Sequence, residues 1–224
     1  MRRHRRRLPV VVAAVAALAA IGAGEATSVR VDNWDAYPPA PLDLSGAWRR
    51  YPSESRPFKQ PPAIAFDDGR PVLHLATAGE AMRVGRAVTV DLRRAPWLTW
   101  EWKPLALPEG GDVRDRKRND QVGRVMVVFE GMRGIAYVWD TTAPVGTEVE
   151  PDGFEIFQRA LIVVRSGPDG LGRWHRERRN VASDHRRIWD EAPRPVKLVT
   201  LESHSNDTDT RTAVRFGSVR FEPR

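Results

Sequence analysis

At 224 residues, with 41% hydrophobic and 29% charged side chains, the chain has the balance of a globular protein with room for one substantial core, which excludes wholesale disorder and a multi-span membrane protein. The lack of cysteine excludes disulfides, thiol nucleophiles and zinc–thiolate sites, so the core alone must hold the fold. The formal charge of +7 is concentrated at the start of the chain.

Arg2, Arg3, His4, Arg5, Arg6 and Arg7 precede an apolar run from Leu8 to Ala23 and small residues at Gly22, Ala23, Gly24 and Ala26, the pattern of a bacterial export leader. Residues 1–26 are expected to be a signal peptide or an uncleaved anchor, because the run is only slightly shorter than the roughly 17–25 residues of a spanning helix. Cleavage after Ala26 removes five Arg and Glu25 and brings +7 to +3. The expected location is periplasmic or extracellular. A membrane is a partner only if the leader stays attached.

Residues 27–44, with Pro38, Pro39 and Pro41 and little periodicity, read as a leader or linker into a domain spanning 45–224. Trp48 to Tyr51 suits a first short strand. Ser53 to Pro62 reads as a loop. Ile64 to Phe66, the turn signal Asp67-Asp68-Gly69 and Val72 to Ala76 form the pattern of a hairpin, and Ala87 to Leu92 alternates again. Pro96 to Lys103 is strongly amphipathic as a strand, with Leu98, Trp100 and Trp102 on one face and Thr99, Glu101 and Lys103 on the other. After a charged loop from Glu109 to Asp120, Arg124 to Glu130 and Ile135 to Asp140 read as two strands, and Leu161 to Arg165 as a buried one. Trp174 to Val181 is a highly charged strand suited to an edge. Val181 to Glu191 is the one helix expected after the leader, with Ser183 as N-cap and Ile188 and Trp189 turned inward. Pro195 to Glu202 and Thr212 to Phe221 close the domain. This succession of short strands at even spacing predicts an all-β jelly-roll sandwich with one short helix.

Several motifs in this order are distinctive together: Pro96-x-Leu98-Thr99-Trp100-Glu101-Trp102, Asn119-Asp120, Arg124 to Phe129, Ile135-Ala136-Tyr137-Val138-Trp139, Gly172-Arg173-Trp174, Arg178, Asp184, and Asp207-Thr208-Asp209-Thr210 before Phe216-Gly217-Ser218-Val219-Arg220-Phe221. The chain from Trp48 to Phe221 resembles the bacterial domain-of-unknown-function family 3047. The resemblance implies an exported domain with a galactose-binding-type jelly roll and no assigned activity. The sequence departs from the family pattern at Asn119-Asp120, where paired aspartates are expected, and at Ser205-Asn206 in the late loop.

A flat indole or phenol face suits the apolar face of a sugar ring. Trp100 and Trp102, placed with Leu98, are assigned to the core. Trp97, Tyr137, Trp139 and Trp174 are candidate ligand contacts. Guanidinium groups suit carboxylate or phosphate on an envelope polymer, which adds Arg124 and Arg178, although the surrounding arginines also read as a solvated face balanced by Glu177, Asp184, Asp190 and Glu191. No catalytic residue is assigned: there is no nucleophile elbow, P-loop or dinucleotide fingerprint. His74, His175, His185 and His204 lack zinc-ligand spacing, and Asp207 and Asp209 fail the EF-hand pattern, so no metal or other cofactor is assigned and Asx-turn capping accounts for the loop carboxylates, with a structural calcium ion as the alternative. Nucleic acid is excluded as a partner by the small corrected charge. Three readings stay open, in this order: non-catalytic binding of a glycan or cell-envelope polymer, hydrolysis of such a polymer by a carboxylate pair, and a structural or protein-interaction role in the envelope.

Overall fold

The computed structural model describes residues 27–52, 56–150 and 156–223. The expected signal segment and part of the Ser53 to Pro62 loop lie outside these residues. The strands are β1 (Val29–Arg30), β2 (Trp48–Arg50), β3 (Ala63–Asp67), β4 (Arg70–Ala78), β5 (Ala81–Val90), β6 (Trp97–Ala106), β7 (Gly123–Phe129), β8 (Arg133–Asp140), β9 (Glu148–Val149), β10 (Gln158–Ser166), β11 (His175–Asn180), β12 (Val196–His204) and β13 (Arg211–Glu222), with one helix, α1 (Val181–Trp189), before β12. One sheet runs β11-β6-β13-β4-β3, with β1 also paired to β13; the other runs β2-β5-β12-β7-β8-β10-β9. Successive strands repeatedly change sheet, as from β4 to β5 to β6 to β7, and this is the jelly-roll sandwich that the strand spacing predicts.

Local chemistry explains the elements. Asp67 pairs with Arg70 across a two-residue loop, and both loop residues have positive φ, 51° at Asp68 and 74° at Gly69. That is the primed turn whose twist matches a hairpin, and Asp-Gly suits it because glycine carries no Cβ penalty there. Helix α1 begins at Asn180, whose side chain accepts the Ser183 backbone N–H at 3.0 Å. The expected cap at Ser183 is therefore one turn too late: Ser183 is the donor, and Asn180 is the residue that can reach it. Ile188 and Trp189 pack half-buried against the core, as expected.

Between the sheets, Trp100 and Trp102 of β6 meet Tyr137 and Trp139 of β8. Trp100 stacks on Tyr137 at 5.3 Å between ring centroids, and Trp102 meets Trp139 edge-on at 5.7 Å. The assignment of Trp100 and Trp102 to the core holds.

The segment 27–44 differs from the linker expected. Val29 and Arg30 pair with Phe221 and Arg220, and Val31, Trp34 and Leu42 are buried. Trp34 stacks on Trp48 at 4.6 Å and donates its indole N–H to the Gly217 carbonyl at 2.8 Å. The prolines hide this role in the sequence, since they signal irregular backbone but not whether that backbone is packed. Replacing Trp34 with Ala should destabilise the fold by about 3–5 kcal/mol, the range for deleting a buried aromatic. Urea unfolding measures it, and a loss below about 1 kcal/mol would return the segment to linker status.

Candidate functional site

The outer face of the second sheet carries an unusual row of charge. Side chains alternate along β12, so Leu198, Thr200, Glu202 and His204 face outward while Val199 and Leu201 enter the core. The register sets Glu202 directly between Arg83 of β5 and Arg124 of β7. Glu202, His204 and Arg124 are each no more than 2% exposed. Charges so far from water persist only when paired and hydrogen-bonded.

Each member has its partners. The Glu202 carboxylate accepts from Thr200 Oγ1 at 2.6 Å and Arg83 Nε at 3.2 Å, with His204 Nε2 2.9 Å away. Burial works to raise the Glu202 carboxyl, but the His204 hydrogen bond and the charges of Arg83 and Arg124 outweigh it and hold it far below the usual carboxylate range. Burial and the Arg124 charge push His204 down to about 3, so the imidazole is neutral at pH 7. An ionised carboxylate only accepts, so His204 Nε2 carries the proton and donates to Glu202. Arg83 Nε, 3.1 Å from the same ring nitrogen, is a second donor converging on that carboxylate.

Arg124 is anchored from the other side. Its Nε donates to Gln121 Oε1 at 2.5 Å, and its Nη2 to the Asn119 carbonyl at 2.6 Å and to Asn119 Oδ1 at 3.0 Å. Burial lowers its guanidinium to about 9, which leaves it charged at neutral pH. Asp120, next in the same loop, accepts from the backbone N–H groups of Asp207 and Thr208 at 2.9 and 2.7 Å and from the Thr208 hydroxyl at 2.8 Å, all on Oδ2. Its Oδ1 is buried without a partner. The late loop is thus capped chiefly by Asp120, from 87 residues away in sequence to Asp207, rather than by its own aspartates. Among the described residues no group of three or more acidic or histidine side chains is placed to hold a metal ion.

Two hollows flank this row and share Tyr51. One, of about 700 Å³, is floored by Gly85, Ala87 and Leu198. The other, of about 490 Å³, is bordered by Phe58, Glu80 and Arg83. Gly85 lets its neighbours close over the strand, since a Cβ there would sit 3.1 Å from Leu198 Cδ1 and 3.3 Å from Thr200 Cγ2, while Tyr51 Cβ would lie 3.5 Å away in ordinary contact. Burial and the Glu202 charge both raise the Tyr51 phenol. Arg83, with 31% of its side chain exposed, is the member of the buried row that borders the open space.

Of the six ligand contacts expected from sequence, Arg124 alone belongs to this cluster, where it is buried rather than at a surface. Tyr137 and Trp139 are 0% and 1% exposed and so belong to the core, not to a binding surface. The Tyr137 hydroxyl donates to Asp184 Oδ2 at 2.8 Å, where Arg179 also binds, and this ties α1 to the second sheet. Trp139 donates to the Gly167 carbonyl at 3.0 Å. Trp97 and Arg178 lie together at one end of the β6–β11 pair, and Trp174 lies just before β11 at the other end; each indole has a face covered by a guanidinium, Arg178 3.7 Å from the Trp97 ring centroid and Arg70 4.6 Å from that of Trp174. Arg83, Glu202 and His204 were the residues missed. Their signal was the alternation Thr200, Glu202, His204, which in sequence is identical to that of a solvated strand face.

The second sheet thus carries a buried, ionised polar row on its outer face beside two open hollows. The chain belongs to the family described as "Protein of unknown function (DUF3047)", which it matches over residues 48–220. No curated protein matches it. Among solved structures it is similar to the xyloglucanase domain of NopAA from Sinorhizobium fredii in complex with cellobiose, at 10% identity over 73% of this chain and 93% of that one, with a TM-score of 0.43. It is also similar to the Trichoderma harzianum endoglucanase 3 from family GH12, at 8% identity, 73% and 83% coverage and a TM-score of 0.40. The family 11 xylanase from Neocallimastix patriciarum follows at 10% identity, 72% and 85% coverage and 0.37.

The cluster makes stability depend on acid. Between pH 6.5 and about 3 the unfolded chain binds a proton at His204 that the folded chain refuses, so stability falls as pH drops through that window by up to ~1.4 kcal/mol per unit. Glu202 adds to the fall below its unfolded value of 4.5, where only the unfolded chain protonates. Burial also lowers His74 and His185. His204→Gln should therefore reduce, without abolishing, the slope of denaturation free energy against pH between 6.5 and 4.5; an unchanged slope would show that His204 is not held neutral.

Proposed function

We propose that this domain binds a glycan in the groove on the outer face of the second sheet. One observation carries the reading. Arg83 is fixed through Nε on the buried Glu202 carboxylate, while its two terminal nitrogens have no protein partner among the described residues and border the hollow. A guanidinium held in this way offers aimed donors to ligand oxygens with little ordering left to be done on binding. Tyr51, over Gly85 and beside Leu198, supplies the apolar surface on which a sugar ring packs. On the expectation of export, the ligand is a polysaccharide of the cell envelope or its surroundings.

A second reading, hydrolysis, is favoured by opposed shifts in two carboxylates. Glu202 is driven down, whereas burial and the Asp120 charge raise Asp207. An acid–base pair for glycoside cleavage needs opposed environments of this kind and carboxyl groups roughly 5–9.5 Å apart across the bond. The same experiment separates the readings: the purified protein is titrated with a panel of polysaccharides while released reducing ends are measured. Saturable binding without release is the expected result. Arg83→Ala should weaken binding by roughly tenfold to a hundredfold, the worth of a charged hydrogen bond. Release that disappears in Glu202→Gln would establish the hydrolase instead, and an affinity unchanged by Arg83→Ala would remove the groove from consideration.

A further inference from the structure

The groove has a charge that the overall composition does not foretell. Arg49 and Arg50 line the larger hollow, and Arg56, Lys59 and Arg83 line the smaller. Glu80 is the one acidic residue among the residues lining either. Arg86 also borders the larger hollow, but its guanidinium donates to the Val31 carbonyl at 2.5 Å. Arg49 reaches only the Gly46 carbonyl, at 3.4 Å, and Lys59 Nζ only the carbonyls of Ala78 and Gly79, at 2.9 and 3.4 Å. Five of the six lining cations thus meet no carboxylate among the described residues; Arg83 alone does, and its carboxylate lies beneath the floor. Some cations elsewhere are paired, as Lys103 and Arg215 are on Asp67, Arg70 on Glu101, and Arg179 and Arg187 on Asp184, while others, such as Arg159 and Arg211, are not among the described residues; what marks the groove is that its cations are gathered around two adjoining hollows.

We infer that the ligand of this groove is an acidic glycan, one bearing carboxylate or phosphate groups along its length. The inference rests on the glycan reading above and adds the substrate class. Cations around two adjoining hollows that meet no carboxylate among the described residues repel one another, and a ligand that brings its own negative charge removes that repulsion. The apolar strip formed by Tyr51, Ala87 and Leu198 beside the cations decides between kinds of polyanion. It accommodates the C–H face of a sugar ring, while the flanking guanidiniums reach anionic substituents bidentately. The free terminal nitrogens of Arg83 are the best-placed of these donors because Glu202 holds the side chain still.

The test compares polygalacturonate with its fully methyl-esterified form, which keeps the backbone and removes the charge, together with a phosphorylated mannan, unmodified mannan and single-stranded DNA. The acidic glycans should bind at least about tenfold more tightly than their neutral counterparts and lose that advantage as salt rises. Which acidic glycan binds more tightly tells carboxylate from phosphate. The double variant Arg49→Glu, Arg56→Glu should abolish the preference. Arg176→Glu, on the first sheet, should leave it intact, which separates groove charge from net charge. Equal affinity for charged and neutral forms would overturn the inference while leaving glycan binding standing. Failure to bind any glycan would overturn both, and DNA bound as tightly as the acidic glycans would show a general polyanion surface rather than a glycan site.

Discussion

The contact between the indoles of β6 and the aromatic rings of β8 sets the geometry of everything else. Trp100 and Trp102 stand on alternate residues of one strand and Tyr137 and Trp139 on alternate residues of another, so the two pairs register the sheets against each other along the strand direction as well as across the gap. Three of the rings also satisfy a polar end: Tyr137 uses Asp184, Trp102 uses Glu177 at 3.2 Å and Trp139 uses Gly167, partners from α1, β11 and the loop before it, while the Trp100 indole N–H has no partner among the described residues. The core thereby fixes the position of the helix and of an edge strand through its own hydrogen bonds.

With the sheets locked, the second sheet can hold buried charge on its far side. β12 is central there, between β5 and β7, and its inward residues Val199 and Leu201 are fully packed. Sliding β12 by one residue would turn those side chains outward and Glu202 inward, at a cost that makes the register secure. Security of register is what an arginine–glutamate–arginine row requires, because its attraction compensates for lost hydration only if the groups meet in good geometry. The cluster is therefore a dependent of the core. It adds a rigid support under Arg83 and contributes little net stability of its own.

The sequence was legible where a local rule coincided with the global outcome. Asp68-Gly69 announced its turn, and the Trp-rich strand announced which face enters the core, because both signals act within a few residues. β5 was placed too late: it begins at Ala81 rather than near Ala87, because Arg86 interrupts the apolar alternation of Met82, Val84, Val88 and Val90 that would have extended it. The site was less legible. Tyr137 and Trp139 carry the composition of a sugar platform, and their burial depends on a partner sheet more than 30 residues away. Glu202 and His204 look like ordinary outward residues until Arg83 and Arg124 are set on either side, 119 and 78 positions distant in the chain.

Val29 and Arg30 pair with Phe221 and Arg220, so the two ends of the described chain leave the sandwich side by side from the first sheet. The charged groove lies on the outward face of the second. Val31, the next residue after Arg30, accepts from Arg86 at the margin of the larger hollow, so the segment that closes the first sheet is also tied to the edge of the groove, and disturbing that entry would be felt at the hollow itself.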